Sequence, residues 1–452
     1  MKYVLMTLLV IIASIIFIGL FIIIKTILIR NKKPNLLQLQ DDRDRNDKYA
    51  NELFELIKIK TVNLDSYHLI REKLKQLFPL VHQYFIREKI EENVYYTYDT
   101  NNQKLPHILL VTHMDTTLEN ETAYLTSQEL YGNGTFDSKA YLYTVFKATE
   151  EILAKNKKLN VNLVLVVTVD DETTKAGNEK IVSCFLKKGR FFNLVLEEGT
   201  GIIDPNSFGL KSNHALVGIG VTGEMTVRYQ VAKEKEITQL QNFMNDLLTK
   251  NIFKSEIDKN TGKVLRTFAK DMKFKQRMMF SNPHLFKPFI KKYIDSDTVQ
   301  IGKLLKTHVT FSDIQENEKY YYTNATFNLA SHDTPAEVIR TVLDYLQKYD
   351  LEYRVEKITE PSKITLTSSK GYRIVKKAIL DVFKNIYIAP YIVTKYSERR
   401  YFTKVSDCVI RFSPLYYEHQ AIKDAYNGNQ HIKKKSLSYA VDFFKKIIDG
   451  ED

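Results

Sequence analysis

The sequence predicts an α/β protein: a mixed sheet flanked by helices, an inserted α+β domain, and an apolar helix at the N-terminus. Three observations carry that prediction. Three short apolar runs rich in β-branched residues, HILLVT (107–112), VNLVLVVTV (161–169) and NLVLE (193–197), are separated by stretches with helical spacing. This is the rhythm of a parallel or mixed sheet with helical crossovers. Near residue 215 the pattern changes to alternating apolar and polar residues, in HALVGIGVTGEMTVRYQV and later in YYYTNATFNLA, as a half-exposed sheet requires. Finally, no charged residue occurs from Tyr3 to Ile24, a run long enough to cross a bilayer as a helix.

The first apolar run continues past Lys25 to Ile29 without the small-residue site at which a signal peptide is cut. Residues 1–30 therefore read as an uncleaved transmembrane anchor. Its orientation stays open. Lys25, Arg30, Lys32 and Lys33 come after the span and only Lys2 precedes it, which by the positive-inside rule keeps the bulk of the chain in the cytoplasm. A lone N-terminal anchor, in contrast, usually exports the chain beyond it. Residues 31–46 read as a polar tether. Residues 47–215 and 361–452 read as the main α/β domain. It opens with a helix over Tyr49–Ile59, with Leu53, Leu56 and Ile57 at helical spacing, and has a second helix over 139–155. After residue 371 come the helical GYRIVKKAILDVFKNI, the strand CVIRF, and a terminal helix near 436–448. Residues 216–360, with helical stretches at 235–250 and 335–349, read as the inserted domain.

Composition narrows the function. The chain has 452 residues, 66 Lys and Arg against 54 Asp and Glu, and a formal charge of +12, with 44% apolar and 27% charged residues. Those proportions exclude a mainly disordered chain, and a single long apolar run excludes a polytopic membrane protein. Cys184 and Cys408 are too few for a disulfide framework or a Cys-rich zinc module. The lysines are spread along the chain and not gathered into an arm, so no nucleic-acid partner is expected. There is no G-x-S-x-G and no G-x-x-x-x-G-K-[ST], hence no nucleophile elbow and no phosphate loop.

What remains is a set of acidic and histidine residues at predicted strand ends. His113-Met114-Asp115 comes directly after HILLVT, and alternate residues of an extended chain share a face. Asp137 sits in YGNGTFDSKA, on a Gly-rich turn before a helix. Asp170-Asp171-Glu172 comes after the second apolar run, and Glu197-Glu198 ends the third. Carboxylates converging in a buried cleft repel one another unless a cation lies between them. One His with several carboxylates suits a catalytic zinc or a similar divalent ion.

The order and context of these segments resemble the dinuclear zinc peptidase family of carboxypeptidase S, the aminoacylases, acetylornithine deacetylase and succinyl-diaminopimelate desuccinylase. HILLVTHMDTT resembles that family's strand with H-x-D, and YGNGTFDSKA its YGRG-x-x-D-D-K turn. VTVDDETTKAGNEKI resembles its G-H-D-E-E stretch, and LVLEEGTG its V-x-D-E-G stretch. FSNPHLFKP and SERRYFTKVSDCVIRFSPL resemble segments of the carboxypeptidase S branch. The resemblance spans about residues 47–448.

The resemblance implies a zinc-peptidase-like catalytic domain with an inserted lid, and cleavage of an amide bond in a small peptide or an N-acyl amino acid. It implies His113, Asp137 and Glu197 as ligands of one zinc, with Asp137 bridging to a second zinc held by Glu172 and a C-terminal His. It gives Asp115 the orientation of His113 and Asp171 the role of catalytic base. The chain departs from the family at named positions. Asp171 stands where the family has Glu, which shortens the base by one carbon–carbon bond, about 1.5 Å. Tyr426 stands where the C-terminal His ligand is expected, with His419 and His431 nearby as substitutes. Asn133 and Ser138 replace the turn's Arg and second Asp. The lid's G-H-S-S-x-P stretch is replaced by YQVAKEKEITQLQ, which removes an oxyanion donor and argues against the homodimer that such lids often form. These departures leave two expectations: a membrane-anchored metallohydrolase, or a non-catalytic descendant of that fold that binds or scaffolds.

Overall fold

The computed structural model describes residues 2–29, 36–37, 39–61, 64–116, 122–136, 138–156, 158–169, 177–205, 210–232, 234–250, 252–297, 305–384, 386–393 and 398–449. Its first nine strands are β1 (Ile86–Ile90), β2 (Asn93–Tyr98), β3 (His107–His113), β4 (Tyr124–Leu125), β5 (Glu129–Tyr131), β6 (Asn162–Thr168), β7 (Leu194–Glu197), β8 (Ile202–Ile203) and β9 (His214–Val221). Then come β10 (Glu224–Val231), β11 (His308–Phe311), β12 (Gln315–Glu316), β13 (Tyr321–Asn328), β14 (Glu352–Thr359), β15 (Tyr387–Val393), β16 (Val409–Arg411), β17 (Tyr416–Tyr417) and β18 (His431–Lys433). The first seven helices are α1 (Lys2–Leu28), α2 (Arg43–Ile57), α3 (Leu64–Leu77), α4 (Pro79–Tyr84), α5 (Lys139–Asn156), α6 (Gly177–Lys187) and α7 (Ile237–Thr249). The remainder are α8 (Lys259–Ala269), α9 (Phe274–Ser281), α10 (Lys287–Asp297), α11 (Pro335–Leu346), α12 (Lys370–Phe383), α13 (His419–Tyr426) and α14 (Lys434–Asp449).

The chain divides into two compact units. The larger comprises Asn35–Val221, Ser362–Val393 and Ser397–Asp452. Its sheet runs β1-β2-β6-β3-β7-β16-β9-β8-β17, with β15 also paired to β9. β3 lies parallel to both β6 and β7, whereas β2 is antiparallel to β6, so the sheet is mixed. Every residue of β6 is buried, and a strand of that kind needs cover on both faces. Alternation supplies it. Ile108, Leu110, Leu163 and Leu165 pack on one side with Leu53, Phe146, Leu437 and Phe444 from α2, α5 and α14. Leu109, Val111, Val164 and Val166 pack on the other with Ile181, Val182 and Phe185 of α6. Each such side chain contributes roughly 1.5–3 kcal/mol when fully buried. A three-stranded sheet, β18-β5-β4, belongs to the same unit.

The smaller unit is chiefly Thr222–Pro361, together with Met1–Pro34. Its sheet runs β11-β13-β10-β14, with β12 on β13. In β10, Met225, Val227, Tyr229 and Val231 point inward while their neighbours are half-exposed. Met225, Val227 and Tyr229 meet Leu240, Phe243 and Leu247 of α7 and Val338, Val342 and Leu346 of α11. A capping box between Thr334 and Glu337, with Pro335 in the first turn, starts α11 and contributes about 1 kcal/mol. α1 is long and apolar enough to cross a membrane, a property that anchors and signal sequences share.

Two boundaries differ from the sequence expectation. Alternation in the sequence starts the inserted domain at 216, but β9 runs to Val221 inside the large sheet and is buried at every position. Its apparent alternation comes from Gly218 and Gly220. A Cβ on Gly218 would stand 2.8 Å from Val393 Cγ2 and 2.9 Å from Arg411 Cβ, so glycine there reflects close packing and not a solvated face. The tether expected over 31–46 also ends early. The Leu37 N–H donates to Asn213 Oδ1 at 2.8 Å and the Gln40 N–H to Tyr439 Oη at 2.7 Å. Leu39 is buried, and α2 starts at Arg43 behind its Asp42 cap.

Candidate functional site

Parallel pairing lines up the carboxyl ends of β3, β6 and β7. His113 registers with Thr168, and Val111 with Glu197. Open α/β sheets bind ligands along such an edge. His113 is the last residue of β3 and is 2% exposed; Asp115 is 1% exposed. The chain between them is held by its backbone: the Met114 N–H donates to Thr168 O at 3.0 Å, and the Thr116 N–H to Thr61 O at 3.1 Å. The two side chains meet, with His113 Nδ1 3.1 Å from Asp115 Oδ1. A proton on Nδ1 donates to that carboxylate, which turns the Nε2 lone pair toward the strand ends. There Nε2 faces Glu198 Oε2 at 3.2 Å, and the same oxygen accepts from the Ser138 N–H at 3.3 Å.

Glu197 closes β7 and is fully buried. Its Oε1 accepts from Arg411 Nη2 at 3.1 Å. Arg411 is the last residue of β16, registers with Glu197 across the parallel pair, and is 2% exposed. Successive residues of a strand point to opposite faces, so the Glu-Glu pair divides, with Glu197 on the arginine and Glu198 on the histidine. The strand ends are tied by Phe412 N–H to Glu197 O at 2.9 Å and by Gly199 N–H to Ser413 Oγ at 3.2 Å. Gly199 permits this approach, because a Cβ there would lie 2.5 Å from the Arg411 carbonyl carbon.

The C-terminal stretch meets the Gly-rich turn. The Gly132 N–H donates to Gln430 O at 2.9 Å, the Gly134 N–H to Gln430 Oε1 at 2.8 Å, and Tyr417 Oη to Phe136 O at 2.8 Å. His431 lies in β18, antiparallel to β5, with Nε2 3.3 Å from Asp424 Oδ2. Its ring stacks on Tyr131 at 4.8 Å between centroids. Tyr131 in turn donates to Glu129 at 2.7 Å, and that bond with the carboxylate pushes the phenol pKa up to about 12. His419 is the first residue of α13, behind Glu418.

Among the expected site residues, then, the structure brings His113 and Asp115 into contact and places Glu197 on the neighbouring strand. Asp137, Asp171 and Glu172 lie outside the described residues, as does the side chain of Tyr426, the last residue of α13. Among the described residues no three or more His, Cys, Asp or Glu side chains gather as a metal-holding group. The donor atoms present nevertheless fit a cation. Two ligand atoms on one tetrahedral zinc, each about 2.0–2.2 Å from it, stand roughly 3.3 Å apart, close to the 3.2 Å between His113 Nε2 and Glu198 Oε2. Sequence reasoning missed the Arg411 partnership and the part of Glu198. The available signals were a single charged residue in the buried strand CVIRF and the second Glu after NLVL.

The model of peptidase family M20/M25/M40 matches residues 109–450. The chain is 22% identical over 413 residues to a probable carboxypeptidase S-like protein of Dictyostelium discoideum, covering 84% of this chain and 79% of that one. It is 22% identical over 414 residues to the N-fatty-acyl-amino acid synthase/hydrolase of Homo sapiens, covering 84% and 81%. In fold it is similar to an M20 family metallo-carboxypeptidase from Sulfolobus solfataricus, with a TM-score of 0.63, 16% identity, and coverage of 89% of this chain and 99% of that one. Peptidases of this family hydrolyse amide bonds and are typically dependent on a pair of metal ions. With a match that begins inside β3 and ends just past α14, the chain belongs to peptidase family M20/M25/M40.

Proposed function

We propose that this chain is a membrane-anchored, zinc-dependent hydrolase that cleaves the amide bond of a small peptide or an N-acyl amino acid. The reading rests above all on the buried His113 ring, held between Asp115 and Glu198 at the carboxyl ends of β3 and β7. The names of the relatives, carboxypeptidase S-like and N-fatty-acyl-amino acid synthase/hydrolase, support the substrate class. In this reading His113, Asp137, Glu172 and Glu197 hold the metal. When bound, zinc polarises the scissile carbonyl and acidifies water. Asp115 keeps the proton on His113 Nδ1 and so fixes the tautomer. Asp171 accepts a proton from the attacking water and returns it to the leaving amine. Arg411 neutralises Glu197 when no cation does.

The test uses the full chain in detergent. Metal content is measured by elemental analysis after exhaustive dialysis, and turnover is measured on a panel of dipeptides and N-acyl amino acids. Retained zinc, with hydrolysis that a chelator abolishes and added zinc restores, is the expected result. Retained zinc without hydrolysis of any of them rejects the reading.

A second reading, a non-catalytic binding or scaffolding descendant, draws on the C-terminal stretch. Tyr426 stands at the expected ligand position, and His431 is engaged by Asp424 and Tyr131.

A further inference from the structure

α9 packs against α1. Along α1 most side chains are open, but Ile22 and Lys25 are half-buried and Thr26 is fully covered. The contact therefore lies toward the carboxyl end of the apolar helix. Next to it, α9, α10 and the turn between them expose large apolar groups: Phe274 is 49% exposed, Leu285 60% and Phe289 63%. Lysines stand among them, with Lys273, Lys275 and Lys292 exposed. From Lys270 to Lys292 the chain has seven Lys and Arg and one acid, Asp271. Among them Arg277 donates to Met272 O at 2.9 Å and Lys287 pairs with Glu256. Beneath this surface Phe280 and Ile290 are fully buried, and Phe280 meets Tyr293 edge to face at 5.7 Å. The apolar groups are thus presented from a packed base.

We infer that α9, the turn after it and the start of α10 form an interfacial surface that lies on an anionic bilayer beside the anchor. Interfacial helices combine these same groups: aromatic and leucine side chains enter the acyl boundary, while lysines meet lipid phosphates. The contact with α1 sets the surface at the level where that helix would leave the bilayer. The inference rests on the reading of α1 as a membrane anchor and is independent of catalysis.

Amide hydrogen exchange of the full chain tests it, in nanodiscs of phosphatidylcholine alone, in nanodiscs that also contain phosphatidylserine, and in detergent. Peptides from 273–293 are expected to exchange most slowly in the phosphatidylserine discs. Replacing Lys273, Lys275 and Lys292 by Gln should reduce the docked population by about fivefold for each lysine. Phe289→Ser and Leu285→Ser, both at exposed positions, should act in the same direction, with β10 and β13 peptides unchanged as the control for folding. Protection of α1 reports the anchor separately, and an unprotected α1 in discs refutes that reading. A protected α1 with 273–293 exchanging equally in all three environments overturns the interfacial surface. Protection that depends on protein concentration and not on lipid assigns the surface to a second copy of the chain and also overturns it.

Discussion

In the larger unit His113 and His431 both sit beside carboxylates, in different settings. His113 ends a strand buried from Ile108 onward, with one nitrogen on Asp115 and the other facing Glu198. His431 begins a three-residue strand in a small sheet, stacked on Tyr131 and bonded to Asp424. The first arrangement leaves a nitrogen and a carboxylate oxygen at the separation of two ligands on one ion. The second is a clasp: together with Gln430 it joins the C-terminal stretch to the Gly-rich turn at 132–136. The contrast teaches that what a His-carboxylate pair can hold depends on where the backbone around it aims the two donors. At the end of a buried parallel strand, hydrogen bonds from Met114 and Thr116 provide that aim.

The largest expected effect is at the proposed base. Asp171→Asn is expected to lower kcat by about 10²–10⁴ while metal content stays constant; unchanged turnover, read with elemental analysis on the same sample, removes Asp171 from the mechanism. Next comes the buried pair of Arg411 and the proposed ligand Glu197, tested on metal-free protein. Arg411→Met leaves Glu197 charged in a dry environment and should cost about 3–5 kcal/mol in denaturant unfolding, whereas Arg411→Met combined with Glu197→Leu should recover most of it. Equal losses in the single and double variants show that the pair contributes by shape and not by charge.

The histidines themselves separate the two regions. His113→Ala should lower the metal content that the proposed function requires, whereas His431→Ala should leave metal content and turnover as they are and cost about 1 kcal/mol through the lost ring stacking. Loss of metal from His431→Ala would move that residue from the clasp into the site. The smallest effect is a pH dependence in the clasp. The Tyr131 phenol is raised in the folded chain from its ordinary 10.0 to about 12 by its bond to Glu129. A group whose folded pKa is raised stabilises fully below its unfolded pKa and loses that contribution as pH rises through the folded one. The clasp should therefore weaken between pH 10 and about 12, and Tyr131→Phe should remove the dependence when exchange at β5 and β18 is monitored across that range.

Much of this architecture is legible residue by residue. HILLVT and VNLVLVVTV read as buried strands because both faces of each are apolar, and His113-Met114-Asp115 reads as a pair on one side because the backbone alternates. Where legibility failed, the cause was packing between distant segments. Gly218 and Gly220 imitate the polar phase of a half-exposed strand, although Gly218 marks where Val393 and Arg411 come close and Gly220 where Ile364 and Ile392 do. LLQLQ looks like the end of a tether, yet Leu37 is bonded to Asn213 and Gln40 to Tyr439.

The sequence by itself determined the α/β class, the order of the acidic segments and the residue types at the strand ends, because periodicity and local spacing are properties of neighbouring residues. Only the tertiary structure decided which carboxylate faces which partner. Glu197 and Glu198 are adjacent, but one meets an arginine 214 positions away and the other meets His113. Side chains that far apart in sequence meet only when a parallel sheet sets their register, and no local pattern encodes that register.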